Sequence, residues 1–131
     1  MKKLMLILLM AALVLTGCAA ASNAAQTNTY RQITMQEAVE MMEKEENYII
    51  LDVRTEQEFA AGHTPGAMLI PNETIGVKEI PQLPDKDQLI MVYCRSGNRS
   101  KQASGKLVQL GYTNIVEFGG INSWPGEVVT D

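Results

Sequence analysis

The sequence predicts an α/β domain with a mostly parallel sheet, and three observations predict it. Short apolar runs rich in β-branched residues alternate with stretches of helical period. Two of the helical stretches open on a capping box, Thr34 with Glu37 and Thr55 with Glu58. Glycine or proline closes several elements, at Gly62, Pro71 and Gly111. A chain of 131 residues leaves room for one such domain with a modest core.

The first helix follows Thr34, where Met35, Ala38, Val39 and Met42 recur at helical spacing. Residues 48–51 form an apolar run with two isoleucines, the mark of a buried strand. A second helix runs from Thr55 to a stop at Gly62. Residues 67–70 predict another strand, closed by Pro71, and residues 72–83 a short helix and loop. The clearest strand covers residues 89–93. After it, residues 100–110 predict a helix with Ala103, Leu107 and Leu110 on one face, ended by Gly111. Gly105 interrupts that helix at a cost of about 1 kcal/mol relative to alanine, and close packing is the only account the sequence offers. Residues 114–118 form the last strand, Gly119 and Gly120 turn the chain, and Trp124 is expected in the core. Ligands of parallel sheets sit beyond the carboxyl ends of the strands. That rule singles out the segment after Tyr93, together with Asp52 and Arg54 after the first clear strand.

Residues 1–17 predict an address rather than part of the fold. Lys2 and Lys3 precede an apolar run over residues 4–15, shorter than the roughly 20 residues a spanning helix needs. The run ends in Leu15-Thr16-Gly17-Cys18, which resembles the lipobox of bacterial lipoproteins. That resemblance implies cleavage before Cys18, lipidation of its sulfur, and a chain held to a membrane of the bacterial cell envelope on the extracytoplasmic side. Residues 18–29 would then be the lipidated cysteine and a flexible, small-residue tether, with residues 30–131 the folded body. Losing Lys2 and Lys3 takes the formal charge from −4 to −6. Such an acidic body argues against nucleic acid as a partner. No Cys/His cluster has zinc spacing and no glycine loop is of nucleotide type, so neither a metal nor a cofactor is expected.

The chemistry concentrates in Cys94-Arg95-Ser96-Gly97-Asn98-Arg99-Ser100, between the clearest strand and the helix after it. Backbone N–H groups of a tight loop converge into a nest for an anion, and the following helix adds its positive end. Arg95 and Arg99 add full charges, so the Cys94 thiol should ionise below about 8.5. Gly97 supplies the backbone freedom of a closed loop. Ser96, Asn98 and Ser100 are short and keep the cup open.

This loop resembles the active-site loop of rhodanese-domain sulfurtransferases. Leu51-Asp52-Val53-Arg54, Glu58-Phe59 and residues 62–67 resemble the family's first motif, with Thr64 where isoleucine is usual. Gly119-Gly120-Ile121 with Trp124 resembles its closing motif. The resemblance implies one rhodanese-like domain with a mostly parallel five-stranded sheet, flanked by helices on both faces. It also implies a sulfurtransferase in which Cys94 takes sulfur from a thiosulfate-like donor, holds it as a persulfide and passes it to cyanide or a thiol. Arg95, Ser96, Gly97, Asn98 and Arg99 are the expected substrate-binding residues, and Asp52, Arg54 and Ser100 the expected supports of the loop. Arg99 has a rival role as a structural partner of Asp52. His63, in a turn, is expected to be structural, because sulfur transfer needs no strong base.

Two other functions compete. A family of cysteine phosphatases shares this fold, but its Cys-x5-Arg loop is one residue longer than the spacing of Cys94 and Arg99. The shorter cup favours one sulfur atom over phosphate, so no phosphatase activity is expected. The other is a persulfide carrier serving one protein partner. A lipidated Cys18 would leave Cys94 as the only free thiol, so reductant should raise activity. A monomer is expected.

Overall fold

The computed structural model describes residues 29–76 and 78–131. The expected leader, the Cys18 lipidation site and all of the tether before Thr29 lie outside the described residues. Among the described residues, no helix is long and apolar enough to cross a membrane.

The chain runs β1 (Arg31–Gln32), α1 (Met35–Lys44), β2 (Tyr48–Asp52), α2 (Glu56–Ala61), β3 (Met68–Leu69), β4 (Leu89–Cys94), α3 (Asn98–Gln109) and β5 (Ile115–Gly120). Short 3-10 turns at Asn72–Thr74 and Ile121–Ser123 complete it. All neighbouring strands pair in parallel, in the order β1-β5-β4-β2-β3. Both expected capping boxes form: the Thr34 and Thr55 hydroxyls accept from the backbone N–H of Glu37 and Glu58, whose carboxylates reach back. Gly111 closes α3 at φ 97°, with Gly111 N–H donating to Val108 O and Tyr112 N–H to Leu107 O. That is the Schellman pattern.

Alternation along the strands builds two cores, one on each face of the sheet. Leu51, Ile90, Val92 and Cys94 pack with Ala103 and Leu107 of α3. Ile50, Met91, Tyr93 and Phe118 pack with Ala38, Met35 and Met42 of α1. Burial on both faces is why β2 and β4 read as continuous apolar runs. Chain direction reverses around β2 and β4: β2 leads outward to β3, while β4 leads the other way to β5. The crevice at their carboxyl ends is therefore the topological switch point.

Two expectations fail. Trp124 is not in the core; it is half-buried, with its indole N–H donating to Glu127 O at 2.9 Å. Gly105 has no close neighbour either, since a Cβ built there meets nothing within 4 Å. The Gly105→Ala variant should therefore gain about 0.5–1 kcal/mol of stability. A urea midpoint unchanged or lowered would count against that open site.

Candidate active site

β4 carries Cys94 to the crevice with its side chain on the α3 face, in phase with Ile90 and Val92. The loop then turns through Gly97, at φ 113° and ψ −14°, a left-handed conformation that suits glycine. Gly97 is also the N-cap of α3, so the helix begins at Asn98, two residues before its expected start. This geometry wraps donors around the sulfur. Gly97 N–H donates to Sγ at 3.0 Å, and the Ser100 hydroxyl lies 3.4 Å away. Burial pushes the thiol up, but the Ser100 hydroxyl and the backbone N–H groups of Ser100, Gly97 and Ser96 outweigh it, leaving the thiol below its ordinary value.

Cys94 is only 1% exposed. The short polar side chains do not leave the thiol open, as the sequence suggests they should. The sulfur therefore presents almost no surface to a molecule arriving from solvent. Arg95, Ser96 and Asn98 are exposed above the thiol's loop, while Gly97 and Ser100 are buried. Beside the loop lies a cleft of about 250 Å³ lined by Gln32, Ile33, Ser96, Lys101 and Glu117 among others. A larger recess of about 290 Å³, including Arg31, Glu45 and Asp87, sits at the amino-terminal end of the sheet and holds none of the loop residues.

The arginines divide their roles. Arg99 is half-buried and bidentate on Glu58 of α2, with Nη1 at 2.7 Å and Nη2 at 3.0 Å. This pair, chiefly the Arg99 hydrogen bond, holds the Glu58 carboxyl at about 2. Arg99 is thus not the partner of Asp52. Among the described residues, the exposed Arg95 side chain makes no hydrogen bond or ion pair.

Asp52 pairs instead with Arg54, whose Nη2 lies 2.7 Å away. Tyr93 donates its hydroxyl to the same carboxylate at 2.6 Å, and Arg54 donates to Gly62 O at 2.7 Å. Burial, then the Asp52 hydrogen bond, pushes the Tyr93 phenol up to about 12. These residues were expected to brace the loop itself. Their side chains bond to none of residues 95–100; they fix Tyr93, just before Cys94, and the turn at Gly62. His63 is structural in its contacts, stacked on Phe59 at 3.7 Å with Nδ1 donating to Phe59 O.

Two residues beside the loop were not singled out as site residues. β5 takes one extra residue against β4, so Val92 faces Glu117 while Cys94 faces Gly120. This bulge slides Gly120 under the loop and lets Asn122 N–H reach Arg95 O at 3.2 Å. It also sets Glu117, 3% exposed, against Ser100, with Oε1 2.7 Å from the hydroxyl. A charged residue inside a buried apolar run was the available signal for Glu117.

A group of this kind titrates visibly. Alkylation of Cys94 should follow the thiolate, with a midpoint below that of an ordinary cysteine thiol and a rate that falls as pH drops through it. A midpoint at or above that value, measured by mass spectrometry after timed iodoacetamide treatment, would contradict the loop electrostatics.

Residues 34–127 match the rhodanese-like domain family. A sulfurtransferase of Allochromatium vinosum is 40% identical over 82 residues, covering 60% of this chain and 73% of the relative. The thiosulfate sulfurtransferase GlpE of Haemophilus influenzae is 33% identical over 97 residues, covering 73% of this chain and 89% of that protein. Among solved structures, a rhodanese-related protein from Thermoplasma volcanium superposes with a TM-score of 0.65 at 31% identity, covering 78% of this chain and 100% of that one.

Proposed function

The chain belongs to the rhodanese-like domain family, and from that premise we propose that it moves sulfane sulfur from thiosulfate or a similar donor to cyanide or a thiol through Cys94. The Cys94 thiolate attacks the outer sulfur of the donor. A sulfur–sulfur bond forms to Cys94 as the donor's own breaks, and sulfite leaves with the electron pair. The acceptor then attacks the outer sulfur of the persulfide, and the Cys94 thiolate is restored. Two half-reactions of this kind give ping-pong kinetics. No cofactor takes part.

The observation that carries this reading is the Gly97 N–H on Sγ at 3.0 Å, joined by the Ser100 hydroxyl at the start of α3. The Gly97 N–H fixed there stabilises the thiolate that attacks the donor. Arg95 draws the sulfonate end of the donor to the loop, while Arg99 stays on Glu58 and ties α2 to the site. The near-complete burial of Cys94 supports a second reading, a persulfide carrier whose protein partner opens the loop. Steady-state kinetics with several acceptors separate the two, since a carrier works poorly with thiosulfate and small acceptors.

We further propose that the mature protein starts at a lipidated Cys18 and acts as a monomer at an extracytoplasmic membrane surface. The central test is the intact mass of the body after incubation with thiosulfate. One added sulfur atom, removed by cyanide, is the expected result. An unchanged mass under reducing pretreatment and saturating donor would overturn the reading.

A further inference from the structure

Ser100 carries one hydroxyl proton and four atoms compete for it. Glu117 Oε1 is the nearest at 2.7 Å, followed by Gly97 O at 2.9 Å, Gly119 O at 3.3 Å and Cys94 Sγ at 3.4 Å. The same Glu117 oxygen accepts Gly119 N–H at 2.9 Å, which pins the carboxylate against the back of the loop. With the thiol protonated, S–H donates to the serine oxygen and the serine proton goes to Glu117. When the thiol proton leaves to solvent, the thiolate needs that serine proton, and Glu117 holds it. A buried carboxylate also opposes a second negative charge nearby.

We propose that Glu117 is a positioning residue that governs the direction of the Ser100 hydroxyl proton and thereby restrains ionisation of Cys94. This deepens the reading of Cys94 as the nucleophile and rests on it. The other charged groups around the loop are Arg95, Arg99 and Lys101 from the loop and α3, Glu58 from α2, and Glu73 from the turn after β3. Glu58 already answers Arg99, so Glu117 is the carboxylate that meets the serine directly.

The test is the pH profile of Cys94 alkylation, which reports the thiol whether or not sulfur is transferred. Glutamine keeps an acceptor for Ser100 and Gly119 but removes the charge. Glu117→Gln should lower the midpoint by about one pH unit. Ser100→Ala should raise it, and adding Glu117→Gln to Ser100→Ala should shift it by less than half as much as in the wild type. Folding is followed by thermal melts. If the glutamine variant does not fold, Glu117→Asp and Glu117→Asn are compared at equal length, with the lower midpoint expected for asparagine. Equal midpoints in either comparison, or a full shift in the Ser100→Ala background, would overturn the proposal. A loss of sulfur transfer with the midpoints behaving as stated would instead count against the functional reading alone.

Discussion

Cys94→Ser should abolish sulfur transfer while leaving the fold intact. The serine oxygen fits where Sγ sits and can accept the Gly97 N–H that now reaches the sulfur at 3.0 Å. It stays protonated at neutral pH, however, and cannot form the sulfur–sulfur bond of the proposed reaction. The expected rate falls to background, a loss of at least about 10³-fold, as when a covalent nucleophile is removed. Stability should change by less than about 1 kcal/mol, because the buried volume is nearly conserved. Two measurements check this: turnover of thiosulfate with cyanide, and a urea melt. Retained turnover in the serine variant would mean that the sulfur travels by a route other than Cys94. Lost turnover with an unfolded protein would say nothing about chemistry, which is why both readings are needed.

Much of this domain was legible because its signals are local. Residues 48–51 and 89–93 are covered on both faces of the sheet, fully from Ile50 and Ile90 onward, so each was apolar throughout. The capping boxes sit within four residues of sequence and formed as expected. β1 was invisible for the opposite reason. Arg31 and Gln32 are exposed, carry no pattern of their own, and are strand only because they pair with Val116 and Glu117. The helix after Cys94 began two residues early because its cap is a left-handed glycine, without the side-chain oxygen that marks most helix starts.

The site divides along the same line. Cys94, Gly97 and Ser100 are neighbours in sequence, and their geometry around the sulfur follows from a strand, a turn and a helix start. What lies beneath and beside them comes from other elements. Glu58 on Arg99, Glu117 on Ser100 and Gly120 under Arg95 depend on how α2, β4 and β5 stack, and on one bulge. The burial of Cys94 has the same origin, for it is set by the packing of β5 and α3 around the loop and not by the loop's own short side chains.

Gly120 offers the sharpest test of that packing. Its φ is −140° and its ψ 157°, extended backbone that any residue adopts, so conformational freedom does not explain a glycine here. Space does. A Cβ at this position would lie 1.9 Å from Arg95 O, 2.2 Å from Arg95 C and 2.5 Å from Ser96 N. These are backbone atoms of the active loop and cannot rotate aside. Gly120→Ala must therefore push the loop outward by about 1 Å or more to restore ordinary contact, and a shift of that size can cost about 10² in rate. Overpacking should also remove about 1–3 kcal/mol of stability. Gly119→Ala is the matched control. Its Cβ meets nothing within 4 Å, but its φ of 96° is strained for alanine. That variant should lose about 1–2 kcal/mol of stability while keeping more of its activity. Should Gly120→Ala keep the wild-type kcat/KM and the wild-type pH profile of Cys94, the close approach of β5 to the loop could not be what shapes the sulfur cradle.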